Sequence, residues 1–209
     1  IQIHLHETAQ EVAEARERVG TSWVHYLHER QLLSPHLQAV HATQLDAEEI
    51  ALLAENNVQV VHCPHPNLKL ASGTCPTTAL LDSGINVGLG TDGAASNNGL
   101  DVLQEARLAS LLAKQHNADA SALPATQALE MATLGGARAL YLDDKIGNLQ
   151  PGKDADFVVL DYKATPLISY RLSQATTLQE KLFALMILGD DRAVKETYAA
   201  GVSVPRKIR

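Results

Sequence analysis

The chain of 209 residues carries 17 Lys and Arg against 24 Asp and Glu, a net charge of -7, which argues against nucleic acid as its main partner. Its 45% hydrophobic and 20% charged content is ordinary globular composition, with length for one large domain or a domain and a half. No apolar run reaches the roughly 18 residues needed to span a membrane, and no signal peptide is visible. Two cysteines, Cys63 and Cys75, make no disulfide framework, so a reducing cytoplasm is the expected compartment. The chain opens at Ile1, already inside a strand-like run, and reads as the C-terminal portion of a longer protein. Nine histidines are the first hint of chemistry.

Ile1 to His6 alternates and predicts a strand. Thr8 caps the next helix, with Glu11 as the partner in a capping box, and the helix runs toward Gly20. A second helix covers Ser22 to about Gln31. Leu37 to His41 predicts a strand, Asp46 caps a helix ending at Asn56-Asn57, and Val58 to His62 predicts a third strand. Pro76 to Leu81 is a short helix stopped by Gly84, and Ile85 to Leu89 is a fourth strand. This regular strand–helix alternation implies a parallel sheet, and four such units are half of a (β/α)8 barrel. Leu100 to His116 is a long helix with Leu103, Ala106, Ala109 and Ala113 near one face. Pro124 opens a helix to about Leu140, with Gly135-Gly136 inside it for close packing. The character changes after residue 140, so residues 1–140 and 141–209 are read as two domains. Ala155 to Asp161 and Val194 to Ala200 predict strands, and Thr177 to Leu188 a helix with Leu178, Leu182, Leu185 and Met186 inward. The basic tail from Pro205 to Arg209 is expected to fray.

Four successive strands end in His4, His41, His62 and Asp92. In a parallel barrel these tips share one face, where such folds keep their chemistry. Histidines and an aspartate converging there suit zinc or iron. Asp92 sits in the turn Gly90-Thr91-Asp92-Gly93-Ala94-Ala95-Ser96-Asn97-Asn98, whose small residues admit a ligand or metal close to the backbone. The plainer reading is a strand-to-helix turn with Asp92 or Ser96 as a cap. His6 is expected on the opposite side of the strand from His4 and is read as structural. His65, between two prolines, is read as a loop residue, and Cys63 as a small buried one.

The motifs His4-Leu5-His6-Glu7-Thr8, His41-Ala42-Thr43, His62-Cys63-Pro64, Asn67 through Gly73 and Gly90 through Asn98 together resemble the amidohydrolase superfamily. Within it they resemble the aminopurine deaminase and chlorohydrolase branch. Residues 1–140 are similar to the methylthioadenosine/S-adenosylhomocysteine deaminase group. Residues 131–209, through Pro151-Gly152-Lys153-Asp154-Ala155-Asp156 and Leu188-Gly189-Asp190-Asp191-Arg192, are similar to guanine deaminase. The resemblance implies an α/β fold, the C-terminal half of a metal-dependent (β/α)8 barrel, with C-terminal strands of a small β-sandwich. It implies one divalent metal, zinc first and iron second, held by His4 and Asp92. Asp92 would also act as general base, His41 would polarise the metal-activated water, and Glu7 would contact the purine ring and transfer a proton. His62 and Ser96 would meet substrate at the mouth. The implied partner is a small purine or nucleoside, and the implied assembly a homo-oligomer.

The resemblance therefore implies hydrolytic deamination of a methylthioadenosine- or S-adenosylhomocysteine-like substrate. Guanine deaminase or an s-triazine or chlorohydrolase-type enzyme is the alternative, and an inactive fragment or non-catalytic scaffold is the alternative of another class. The family's His-x-His ligand pair has no counterpart before His4. The expectation is that residues 1–209 alone neither fold stably nor turn over.

Overall fold

The computed structural model describes residues 1–205. Four short strands, β1 (Gln2–Leu5), β2 (Gln38–His41), β3 (Gln59–His62) and β4 (Val87–Leu89), form one parallel sheet in the order β1-β2-β3-β4. The glutamines that start β1, β2 and β3 stand side by side in register. The helices between them are α1 (Ala9–Val19), α2 (Trp23–Glu29), α3 (Ala47–Glu55), α4 (Pro64–Lys69) and α5 (Thr77–Asp82). Ala39, Val60 and Val87 of the sheet and Leu53 and Leu80 of the helices are all buried in one cluster, as strands covered by helices require.

The helix boundaries follow local chemistry. Asp46 and Glu49 form a reciprocal capping box at α3, which satisfies two orphan N–H groups at once. Gly20 ends α1 with φ of 80°, a conformation open to glycine at little cost. The box expected at Thr8 is only half present. Thr8 accepts from the Glu11 N–H, but Glu11 reaches past it to the N–H groups of His6 and Glu7 at 3.0 and 2.7 Å.

α6 (Val102–Asn117) buries Glu105, Ala106, Ala109, Ser110 and Ala113; Leu103 is only partly covered. The predicted Pro124-led helix comprises α7 (Ala125–Glu130), a π-helical turn (Met131–Gly135) and α8 (Gly136–Ala139). Its glycines serve as expected. A Cβ at Gly135 would lie 2.7 Å from the Val87 carbonyl oxygen, and one at Gly88 would lie 3.1 Å from Gly136 Cα, so backbone packs directly on backbone at β4.

Beyond residue 140 a three-stranded antiparallel sheet, β5 (Phe157–Leu160), β6 (Val194–Ala199) and β7 (Val202–Val204), is accompanied by α9 (Pro166–Ser173) and α10 (Leu178–Leu188). Two elements here escaped the sequence reading. α9 starts at a Thr165 cap with Pro166 in its first turn, where a missing N–H costs nothing. β7 follows the Ala200-Gly201 turn, whose left-handed residues (φ 48° and 76°) make a hairpin rather than a stop. Leu178, expected inward, is 67% exposed, because the first turn of α10 precedes its buried face of Ala184, Leu185 and Met186. Met186 belongs to the larger core cluster with β4 and α6. Of the tail, residues 206–209 lie outside the described residues. No helix among the described residues is long and apolar enough to cross a membrane.

Candidate metal centre

The strand tips are staggered rather than level. His41 ends β2 opposite Leu5, so His4 stands one residue further back, and Asp92 lies three residues past the end of β4. The backbone compensates. His6, His41 and Asp92 all take positive φ, at 52°, 74° and 56°. Such left-handed residues cost about 1–3 kcal/mol each and cluster at functional sites.

These turns bring His4, Glu7 and His41 together, with one ligand-type atom of each within 4.8 Å of the others. Glu7 Oε2 lies 3.9 Å from His4 Nδ1 and 3.7 Å from His41 Nε2. The two imidazoles meet edge to face with centroids 4.7 Å apart. His4 is exposed, Glu7 largely covered and His41 fully buried.

His41 and Glu7 are held from behind. His41 Nδ1 pairs with Asn67 Oδ1 at 2.8 Å. An amide oxygen only accepts, so Nδ1 carries the proton and Nε2 presents a lone pair. The Ser72 hydroxyl donates to Glu7 Oε1 at 2.9 Å, and the Thr43 hydroxyl donates to the Glu7 carbonyl at 2.6 Å. Asn67 and Ser72 had no role in the sequence reading. They lie within a quoted motif, but nothing in composition or spacing says which strand tip each will meet. His65 is not in a loop: Pro64 and Pro66 occupy the first turn of α4, where proline is tolerated.

Asp92 lies outside the 4.8 Å group but within electrostatic reach of it. Burial alone would raise its carboxyl. The Ser96 hydroxyl, a Gly93 backbone bond and the His41 and His4 imidazoles outweigh that and hold it below the usual carboxylate range. Ser96 donates to Asp92 Oδ2 at 2.6 Å and to the Gly93 carbonyl at 3.1 Å, so its hydroxyl serves the loop. His62 is buried, with both ring nitrogens unpaired among the described residues. Burial and then the nearby His41 push its pKa down to about 3, so it is neutral. It does not join the cluster.

His6 is fully buried, with Nδ1 3.2 Å from the Gln44 carbonyl oxygen and 3.5 Å from Glu49 Oε2. The reason differs from the one expected. Residues two apart share a face in a regular strand; the positive φ at His6, after β1 has ended, turns it away. Cys63 is buried, and burial, with nearby acids adding to it, pushes its thiol up to about 12.

The central cluster offers lone pairs from His41 Nε2, Glu7 Oε2 and a His4 nitrogen. His41 Nε2 is buried with no hydrogen-bond partner among the described residues. A set of acceptors with no donor between them fits a cation, and imidazole with carboxylate suits a borderline divalent metal. A cavity of about 500 Å3 on β6 and β7, lined by Lys195, Glu196, Thr197 and Ser203, shares no residue with this cluster.

The model of the amidohydrolase family matches residues 1–204. The chain belongs to that family. Among curated amidohydrolase relatives, a 5-methylthioadenosine/S-adenosylhomocysteine deaminase from Teredinibacter turnerae is 49% identical over 161 residues, covering 77% of this chain and 36% of the relative. An adenosine deaminase from Xanthomonas campestris, solved with bound zinc, superposes with a TM-score of 0.87 at 43% identity, over 97% of this chain and 44% of that one. Guanine deaminase from E. coli superposes with a TM-score of 0.90 at 33% identity, over 99% and 48%. The chain thus spans less than half the length of each of these three proteins.

Proposed function

We propose that the whole protein built around these residues is a metal-dependent hydrolytic deaminase of an aminopurine, methylthioadenosine- or S-adenosylhomocysteine-like. The carrying observation is the buried, unpaired Nε2 of His41, fixed by Asn67 and facing Glu7 and His4. In this reading the parallel sheet is the second half of a (β/α)8 barrel, residues 1–140. Residues 141–209 add strands to a β-sandwich. The enzyme is cytoplasmic and homo-oligomeric.

His4, from the cluster, and Asp92, from the turn beside it, would hold the metal, with zinc favoured by the zinc-bound relative. A bound divalent ion lowers the pKa of water to about 7, supplying a nucleophile at neutral pH. Asp92, kept ionised, is the base that would take a proton from the attacking water and pass it to the amine that leaves as ammonia. His41 Nε2 accepts a hydrogen bond and orients the attack. Glu7, held by Ser72 on its other oxygen, would contact the purine ring and relay to a ring nitrogen the second proton that the added water gives up as its C–O bond becomes a carbonyl. His62 and Ser96 shape the mouth, Ser96 through Asp92.

Guanine is the second reading, favoured by the TM-score of 0.90 with E. coli guanine deaminase. Ammonia release from the whole protein against methylthioadenosine, S-adenosylhomocysteine, guanine and a chlorotriazine decides between them, with chloride followed for the last. Turnover of the two nucleosides is expected. No ammonia from any of them, with no bound metal, would leave the scaffold reading instead.

A further inference from the structure

Glu105 lies on α6, outside the cluster, and is 1% exposed. A buried carboxylate is costly unless hydrogen bonds replace its water. Both of its oxygens are used. Oε2 accepts from the His65 backbone N–H at 2.9 Å, and Oε1 accepts from Asn97 Nδ2 at 2.7 Å. Burial raises its carboxyl pKa, and these two donors pull it back.

The two partners belong to different arms of the site. His65 is the second residue of α4, whose own N-cap residue, Cys63, makes no side-chain hydrogen bond. Glu105 therefore caps α4 from another helix, and α4 carries the Asn67 that fixes His41. Asn97 is also buried. The same Nδ2 that meets Glu105 donates to the Thr91 carbonyl at 2.8 Å, and Oδ1 accepts from the Gly99 N–H at 3.0 Å. Those contacts hold the turn that presents Asp92.

We infer that Glu105 is a positioning residue that locks the Asn67–His41 arm and the Asp92 turn into one fixed relation through its bonds to His65 and Asn97. Lys69 spans the same gap, donating to the Ala95 carbonyl at 3.1 Å and Asn98 Oδ1 at 2.8 Å. That link is exposed, and exposed charged contacts contribute little. The buried link decides the geometry.

The orientation cannot be swapped. Rotating Asn97 to offer Oδ1 to a new donor would set that oxygen against the Thr91 carbonyl and Nδ2 against the Gly99 N–H. Glu105→Gln, nearly the same size, therefore faces one donor with another. Ser110→Ala is the control. It also removes a buried polar contact from α6, the Ser110 hydroxyl bond to the Leu123 carbonyl at 2.7 Å, but touches neither arm.

Hydrogen exchange on the whole protein is the primary readout. Glu105→Gln is expected to speed exchange about tenfold or more in both 64–72 and 90–99, while Ser110→Ala leaves both segments unchanged. Asn97→Ser, a milder cut at the other end of the link, is expected to do the same to a lesser degree. The activity arm rests on the deaminase reading: kcat falls about tenfold in Glu105→Gln with KM nearly unchanged, and stays at the wild-type level in Ser110→Ala. If neither Glu105→Gln nor Asn97→Ser loosens both segments, or Ser110→Ala loosens them as much, the inference is overturned. A wild-type protein without deaminase activity would sink the functional reading and leave the exchange result to judge Glu105.

Discussion

Replacing Asn67 by alanine tests the core of the site. The change strips the acceptor from His41 Nδ1, a contact of 2.8 Å between two side chains that are both at most 1% exposed. A buried N–H left unsatisfied costs about 1–3 kcal/mol. For a unit of this size each kcal/mol lowers Tm by about 2–4 °C, so a loss of about 4–8 °C is expected at the middle of that range. Function should suffer more than stability. Freed of Asn67, the ring can protonate on either nitrogen and turn. A proton-handling side chain contributes about 10²–10⁴ to rate, and losing its orientation should remove about 10- to 100-fold of kcat. Asn67→Asp separates orientation from packing. It keeps an acceptor toward Nδ1 and strengthens it with charge, at a cost in stability, because its second oxygen sits where Asn67 Nδ2 is buried without a partner. Most of the activity should survive in that variant. Thermal melts and steady-state kinetics of both variants in the whole protein make the check. If Asn67→Ala turned over like wild type, or Asn67→Asp fell as far as alanine, His41 would not be the oriented group described above.

Gly135→Ala should lower Tm measurably, because the new Cβ would sit 2.7 Å from the Val87 carbonyl oxygen and overpacking against backbone costs about 1–3 kcal/mol; an unchanged melt would show that the helix can step off β4 freely. His62 should make the fold acid-sensitive. Its pKa falls from 6.5 to about 3 on folding, so the unfolded chain binds more protons between those values, and stability present above pH 6.5 is lost as pH falls toward 3. Denaturant titrations across that window should show the slope, and His62→Gln should flatten it; an equal slope in the variant would place the titration elsewhere. Chelation of the whole protein should abolish ammonia release, zinc should restore it, and Asp92→Asn should lower metal content; full activity in chelator would remove the metal from the mechanism.

The parallel sheet was legible because its signals are local: apolar runs, caps such as Asp46, and glycines such as Gly20 and Gly84. Gly135-Gly136 was read for close packing, and the Val87 contact bears that out. The misses share a different cause. Leu178 satisfies the helical period but lies in a first turn that reaches past the core. Pro64 and Pro66 look like loop residues because proline breaks helix interiors, yet both fall in a first turn. His6 was expected on the face opposite His4, but the pleat would have kept it beside His4. A single left-handed residue after the strand reverses it, and no residue type there demands that conformation.

The site shows the same division. Of the residues that meet at its centre, His4 and His41 were read from the ends of their strands, and Glu7 from the resemblance alone. What orients His41 and Glu7 was read from neither. Asn67 holds His41, Ser72 holds Glu7, and Glu105 holds the first turn of α4, and all three contacts converge on residues 65–72. That short connection offers no ligand to the cluster, yet His41 and Glu7 both depend on it. Its partners lie 26, 65 and 40 residues away in sequence, beyond any periodicity or cap rule. Partial activity could therefore be lost from this segment without touching a metal ligand or proton-handling group, and such losses should appear first in kcat, because the groups that bind remain in place while their mutual orientation decays.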